Sequence, residues 1–84
     1  MLIDTARTAL ARGLPDDALS ATELHAKRFP RGRLAEEREA IAVQALVAKG
    51  DAALARARAE RFRRAFPDSL FRATVDRAVG SLER

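Results

Sequence analysis

The chain repeats part of its own sequence at an interval of 37 residues, and no other feature constrains its fold as strongly. In both copies a Gly is followed five positions later by an Ala, and a Phe-Pro pair closes the segment. The matched pairs are Ala11 with Ala48, Gly13 with Gly50, Ala18 with Ala55, Glu23 with Glu60, Phe29 with Phe66 and Pro30 with Pro67. Alanine matches are frequent by chance in an alanine-rich chain, but the combined spacing of Gly, Ala and Phe-Pro is not. A repeat of this length indicates two copies of one supersecondary unit that stack to share a core.

Glycine and proline divide the chain into five stretches whose apolar residues have helical spacing. We therefore predict five helices, at about residues 2–12, 15–29, 33–49, 51–66 and 69–83. Gly13 can end the first helix, because glycine readily adopts the left-handed conformation found after many helices. Pro15 suits the first turn of the second helix. No stretch shows the apolar and polar alternation that predicts a strand.

The third predicted helix is the most apolar of the five. From Ala40 to Ala48 every residue except Gln44 is apolar, and a helix that is apolar nearly all round is typically a central, buried one. The phenylalanines also lie at helix-packing positions and are expected in the core; they are Phe29, Phe62, Phe66 and Phe71. A chain of 84 residues supports only one core, so a single domain over residues 1–84 is predicted.

The spacing around each loop glycine resembles the tetratricopeptide repeat (TPR). In that family the second helix of a hairpin has a small residue five positions after the loop glycine, packing residues further on, and a proline at its end. Those positions hold Gly13, Ala18, Thr22, His25 and Pro30 in the first copy, and Gly50, Ala55, Ala59, Phe62 and Pro67 in the second. The connector Phe66-Pro67-Asp68-Ser69 is similar to the longer repeats of bacterial envelope-assembly and cell-division coordinator proteins. The interval differs from the family's usual length of about 34 residues.

The resemblance implies an all-α fold, a right-handed α-solenoid of two TPR-like helical hairpins plus a closing fifth helix. The first repeat would span about residues 1–30, the second about 33–67, and the closing helix about 69–83. In such folds the first helix of each hairpin lines a concave groove. Carried over to this sequence, the groove residues are Ile3, Arg7, Glu37, Ala40, Gln44, Thr74, Arg77 and Ser81. Arg7 and Arg77 would flank Gln44 and favour an acidic segment, because arginine forms charge-assisted bonds to carboxylates.

The chain is basic, with 16 Lys and Arg residues against 12 Asp and Glu and a net charge of +4. Such a balance can indicate a nucleic-acid partner, but an Arg- and Ala-rich composition is also typical of high-GC bacterial genomes. The basic cluster consists of Arg56, Arg58, Arg61, Arg63 and Arg64, with Arg28, Arg31 and Arg33 at the preceding connector. It is interpreted as a solvated face, as a contact for an acidic protein patch, or as a nucleic-acid surface centred on Arg56, Arg63 and Arg64. Nucleic acid is the least favoured, because the chain has no Tyr or Trp for base stacking.

No group of residues forms a pattern that predicts a catalytic, cofactor-binding or metal site. His25 is the only histidine and there is no cysteine, so a metal ion would lack further soft ligands, and a packed or half-buried histidine is expected. The pairs Asp16-Asp17 and Glu36-Glu37 lie in predicted first turns, where carboxylates compensate the helix dipole. No Gly-rich phosphate loop occurs. The expectation is therefore a protein that is not an enzyme and needs no cofactor.

These observations predict a non-catalytic protein-protein interaction module, a scaffold or adaptor that binds another protein or an acidic peptide segment. One alternative is a basic nucleic-acid-associated module that uses the fourth helix. Another is self-association, because the exposed ends of a two-repeat solenoid can stack into a symmetric dimer. No stretch approaches the roughly 20 apolar residues of a membrane span. The expected location is cytoplasmic for this form of the chain, or periplasmic if it is a domain of a secreted parent.

Overall fold

A computed structural model describes residues 1–83 of the chain. Within that range there are five α-helices and a 3-10 turn: α1 (Leu2–Ala11), α2 (Pro15–Arg28), α3 (Ala35–Lys49), α4 (Ala52–Ala65), α5 (Arg72–Gly80) and the turn Ser81–Glu83. No residue from 1 to 83 lies in a strand, so the prediction of an all-α protein is confirmed. None of the helices in this part of the chain is both long and apolar enough to cross a membrane.

Two of the helices begin later than the sequence predicts, α3 at Ala35 and α5 at Arg72. The residues before α3 form two consecutive turns instead. The Gly32 N–H donates to the Phe29 carbonyl at 3.2 Å, and the Ala35 N–H donates to the Gly32 carbonyl at 3.1 Å. The same two bonds precede α5, 37 residues later, with lengths of 3.1 and 3.2 Å. Both connectors therefore have the same backbone hydrogen bonds.

The loops that join α1 to α2 and α3 to α4 are also equivalent. Gly13 and Gly50 have φ angles of 72° and 87°, in the left-handed region that glycine enters without strain. The next residue in each loop donates its N–H five residues back, from Leu14 to Ala9 at 2.9 Å and 37 residues later at 3.0 Å. This is the 6→1 bond of a Schellman helix end. The backbone hydrogen bonds of these loops therefore repeat at the same 37-residue interval as the sequence.

The central helix is α3, which packs against each of the other four. Its Ile41 and Ala45 join a core cluster with residues of α1 and α2, whereas Ala40 and Val43 join a second cluster with residues of α4 and α5. The prediction of a central, buried third helix is confirmed. α1 and α5 both contact α3.

The phenylalanines are not all in the core. Phe62 is 2% exposed, and Phe66 and Phe71 pack against the second cluster as partly buried residues. Phe29 is 53% exposed, so its predicted core position is wrong. Its surroundings differ from those of Phe66. The Phe66 ring lies beside Phe62, whereas the equivalent position beside Phe29 holds His25, whose ring is 5.3 Å away between centroids.

Candidate interaction surfaces

Part of the predicted groove follows the 37-residue interval. Arg7, Gln44 and Ser81 are equivalent positions on α1, on α3 and at the end of α5. Arg7 and Ser81 are exposed and Gln44 is partly exposed. Since α3 lies against both α1 and α5, these side chains occupy accessible positions on three neighbouring helices. We call them the polar row.

A second set of equivalent positions consists of Ile3, Ala40 and Arg77, and only the last is accessible. Ile3 is 2% exposed and Ala40 is 1% exposed, so the prediction that they line an open groove is wrong. Ile3 packs in the cluster that includes α3, and Ala40 packs in the cluster that includes α5. In each case the next helix of the series covers the position. Within residues 1–83 no helix follows α5, which leaves Arg77 in solvent.

Arg7 is already engaged by two carboxylates. Its Nε donates to Glu37 Oε2 of α3 at 3.0 Å, and its Nη1 donates to Asp4 Oδ1 of α1 at 3.0 Å. The hydrogen bond to Glu37 and the attraction between the two charges raise the pKa of Arg7. An acidic partner would have to compete with Glu37 for this guanidinium group. Arg7 therefore serves first as a link between α1 and α3.

The remaining groove residues have free polar groups. Gln44 and Thr74 are partly exposed, Arg77 is exposed, and none of their side chains forms a hydrogen bond or ion pair within residues 1–83. Ser81 donates its hydroxyl to the Ala78 carbonyl at 2.6 Å and keeps its acceptor capacity. The α3 and α5 part of the predicted groove can therefore make new polar contacts without breaking old ones.

One arginine of the basic cluster predicted on α4 forms an ion pair with α5, whereas others do not. Arg63 Nε donates to Asp76 Oδ1 of α5 at 2.8 Å, which joins the last two helices. Arg56 and Arg64 are exposed, and neither pairs with a carboxylate among residues 1–83. One of the three residues assigned to a nucleic-acid surface thus has a structural partner. The other two remain available to solvent.

A buried polar network that the sequence analysis did not identify centres on Arg38 of α3. Arg38 is only 6% exposed. Its Nη1 donates to the Phe29 carbonyl at 3.1 Å, and its Nη2 donates to the Pro30 carbonyl at 3.5 Å. Both carbonyls belong to the connector between α2 and α3. Arg38 therefore holds this connector against the central helix from the inside.

Glu39 balances the charge of this network. Its carboxylate accepts hydrogen bonds from Arg38 Nε at 2.8 Å and from Arg58 Nε of α4 at 3.0 Å. Burial alone would raise the pKa of Glu39, but the hydrogen bonds from Arg58 and Arg38 outweigh it and lower that pKa. Glu39 thus stays ionised in a mostly buried position. The α4 residue Arg58 is part of this network and not of a free basic face.

His25 of α2 completes the network. Its Nδ1 lies 3.4 Å from Arg38 Nη1, and the residue is 5% exposed. A guanidinium group can only donate, so Nδ1 must be the acceptor of a neutral ring in this pair. Burial and, to a lesser extent, the positive charge of Arg38 lower the pKa of His25. The sequence does contain a sign of this network: Arg38 is charged, whereas the equivalent position 37 residues later holds the apolar Val75.

A comparison of the chain with protein-family models, with curated proteins and with solved structures finds no match. The candidate residues therefore rest on the sequence pattern and on the geometry of the described residues. They fall into two groups with different roles: an accessible set on α1, α3 and α5 that can contact a partner, and a buried network around Arg38 that positions a connector.

Proposed function

We propose that this chain is a non-catalytic protein-interaction module that binds an extended segment of a partner across α1, α3 and α5. The two hairpins and α5 would form a short right-handed solenoid of the TPR type, with these three helices on its concave face. The observation that carries the proposal is the polar row, Arg7, Gln44 and Ser81: equivalent, accessible positions on neighbouring helices. One polar side chain per helix suits an extended segment, which contacts successive helices in turn.

The free polar groups beside the row support this function. The Gln44 amide has both donors and an acceptor, so it can pair with the backbone of an extended segment. Arg77 is exposed and can form a forked bond to a carboxylate of the partner. Thr74 adds a hydroxyl on the same helix as Arg77. The expected partner is therefore a segment with exposed backbone and at least one acidic residue near Arg77.

The ion pair between Arg7 and Glu37 supports the proposal in a different way. It joins α1 to α3 across the face to which the polar row belongs. A face whose helices are already linked loses less conformational freedom when a partner binds. Arg7 then acts as a positioning residue more than as a contact for acidic groups.

The buried network supports the non-catalytic part of the proposal. A general acid or base has to reach its substrate, but His25 and Arg38 are 5% and 6% exposed. His25 Nδ1 faces the Arg38 guanidinium group, which also binds Glu39 and backbone carbonyls. The network is thus explained by its support of the connector.

The test starts with a displayed library of random peptides selected on the immobilised protein. Peptides that enrich are then measured by isothermal titration against the wild type and against the double variant Gln44→Ala and Arg77→Ala. We expect the double variant to bind at least about tenfold more weakly, because it removes the free amide and the free guanidinium group of the face. The matched control is Arg56→Ala and Arg64→Ala on α4, which should bind like the wild type.

Thermal melts must first show that each variant is folded as well as the wild type. If no peptide enriches, or if the enriched peptides bind the Gln44→Ala and Arg77→Ala variant as tightly as the wild type, the proposed face is wrong. If the α4 control loses the binding instead and salt abolishes it, the interaction is electrostatic and uses the arginines of α4.

A further inference from the structure

A second concave surface lies beside the connector between α2 and α3, and its lining is mostly apolar. This hollow has a volume of about 400 Å³, and its lining includes Leu2, Ile3, His25, Phe29, Arg33 and Leu34. Ile3 and His25 are buried beneath it, whereas Phe29 and Leu34 are 53% and 38% exposed. We call it the connector hollow. Sites that accept apolar groups typically have this size, with an apolar lining and few polar groups.

The walls of the connector hollow are held in place from inside the protein. Arg38 binds the carbonyls of Phe29 and Pro30, at 3.1 and 3.5 Å. The Phe29 ring also rests against the buried His25 ring, 5.3 Å away between centroids. A wall that is fixed before binding costs a ligand little conformational entropy. The buried network therefore holds the exposed Phe29 in place before a ligand binds.

Arg33 is the arginine that lines the hollow, and further basic residues lie close to it in the chain. Lys27, Arg28, Arg31 and Arg33 are all exposed, and none pairs with a carboxylate among residues 1–83. Of the residues that line the connector hollow, none is acidic. A neighbouring hollow of about 350 Å³ shares Arg33 and Leu34 but contains acidic residues, which are Glu36, Glu37 and Asp68. The neighbouring hollow is therefore lined by charges of both signs, whereas the connector hollow has no acidic residue in its lining.

We propose that the connector hollow binds a peptide segment in which an apolar side chain is flanked by carboxylates. The apolar side chain enters between Phe29 and Leu34, and the carboxylates contact Arg31 and Arg33. Buried apolar anchors with arginine contacts at their edge are the usual source of binding energy in such sites. A second copy docked through this same face fits less well, because its own arginines would face these arginines.

This inference does not depend on the polar row, because the connector hollow uses none of its residues. The probe is a short synthetic peptide in which a Phe-Leu pair is flanked on both sides by Asp and Glu. Its two comparison peptides replace Phe-Leu by Ala-Ala, or replace the acidic residues by Lys and Arg. Each is titrated into ¹⁵N-labelled protein. We expect the probe to shift the amide resonances of Phe29, Arg33 and Leu34, and both comparison peptides to bind at least about tenfold more weakly.

Substitutions in the protein test the same contacts that the comparison peptides test. Phe29→Ala and Arg33→Glu should each weaken binding of the probe about tenfold. Leu54→Ala is the control for the first, because Leu54 is 56% exposed on α4, and Arg56→Glu is the control for the second. Both controls should change the affinity by less than about twofold. The double variant Gln44→Ala and Arg77→Ala of the proposed binding face should also retain the probe.

Several results would overturn the inference. One is the absence of any shift at the connector with the probe at millimolar concentration. A second is a set of amide shifts at the connector that depends on protein concentration in the absence of peptide, which would assign the surface to a second copy. A third is binding of the protein to phosphatidylglycerol vesicles without binding of the probe. If the Gln44→Ala and Arg77→Ala variant loses the probe while Phe29→Ala retains it, the peptide binds the proposed face of α1, α3 and α5, and the connector hollow is not its site.

Discussion

Arg38 of α3 occupies the position that Val75 occupies in α5, 37 residues later, and both side chains are buried. The backbone bonds at the two positions match: the Arg38 N–H donates to Leu34 at 2.8 Å, and the Val75 N–H donates to its equivalent acceptor at 3.0 Å. A neighbour of Arg38 differs in the same way, because His25 stands where the second copy has Phe62. One polar pair in the first hairpin thus replaces one apolar pair in the second.

The first prediction follows from this replacement. Arg38→Val should lower the free energy of unfolding by about 2 kcal/mol, because it removes charge-assisted hydrogen bonds in a buried site. Adding His25→Phe recreates the apolar pair of the second copy, and well-packed apolar replacements of buried polar groups are often neutral or better. The double variant should therefore be more stable than the sum of the two single variants predicts, by at least about 1 kcal/mol.

Urea unfolding followed by circular dichroism measures all four proteins of this cycle. The matched control is Arg56→Val, an exposed arginine on α4, which should change the stability by less than about 0.5 kcal/mol. Additive effects of His25→Phe and Arg38→Val would show that the two side chains do not act as a pair.

The second prediction concerns pH. The pKa of His25 is lowered from 6.5 by burial and by Arg38, so the unfolded chain binds more protons than the folded chain below pH 6.5. Stability should therefore fall as the pH is lowered from 6.5 through the folded-state pKa of His25. The pKa of Glu39 is lowered from 4.5, mainly because the bonds from Arg58 and Arg38 outweigh burial. Its contribution is present above pH 4.5 and is lost as the pH falls further.

Urea midpoints measured from about pH 7.5 to pH 5 separate the two groups, because only the His25 contribution changes there. His25 is the only histidine, so His25→Phe should remove most of the decrease in stability over this range. An unchanged pH dependence in that variant would mean that His25 is not the titrating group.

The third prediction compares how much stability is lost when each of two phenylalanines is replaced, Phe62 in α4 and Phe66 just after it. Phe62 is 2% exposed and Phe66 is only partly buried. Phe62→Ala should cost about 3 to 5 kcal/mol, which is most of the stability of a small domain. Phe66→Ala should cost about 1 to 2 kcal/mol, because less apolar area is removed from the core. Thermal melts give the order, and Phe62→Leu provides a milder change that should remain folded. A larger loss for Phe66→Ala than for Phe62→Ala would contradict the packing described here.

The fourth prediction compares two glycines with open space around them. A Cβ at Gly50 or at Gly80 would meet no atom within 4 Å, so only the backbone conformation distinguishes them. Gly50 has a φ of 87°, and an alanine there should cost about 1 to 2 kcal/mol. Gly80 is helical, and Gly80→Ala should stabilise the protein by about 0.5 kcal/mol. Thermal melts of both variants test this, and a neutral Gly50→Ala would show that the loop tolerates another backbone conformation.

The number and the approximate limits of the helices could be predicted from the sequence, because these depend on residues that are close together in the chain. Gly13 and Gly50 end helices through their own φ angles, and the apolar run from Ala40 to Ala48 identifies the central helix. Six of the eight groove residues that the TPR resemblance implied, all except Ile3 and Ala40, are exposed or partly exposed. The connectors could not be bounded correctly, because their turns are stabilised by bonds over three residues that the pattern of apolar residues does not encode.

What required the tertiary structure is the environment of individual polar and aromatic side chains. Arg38 looks like a surface residue in the sequence, and it is buried because His25, 13 positions earlier, and Glu39 give its guanidinium group partners. Arg7 looks free, but Glu37, 30 positions later, binds it. Phe29 looks like a core residue, but it is exposed, and His25 lies beside it where Phe62 lies beside Phe66. Local conformation is determined by neighbouring residues, whereas the cost of burying a charge or exposing a ring depends on which distant side chains the packing of the helices brings beside it.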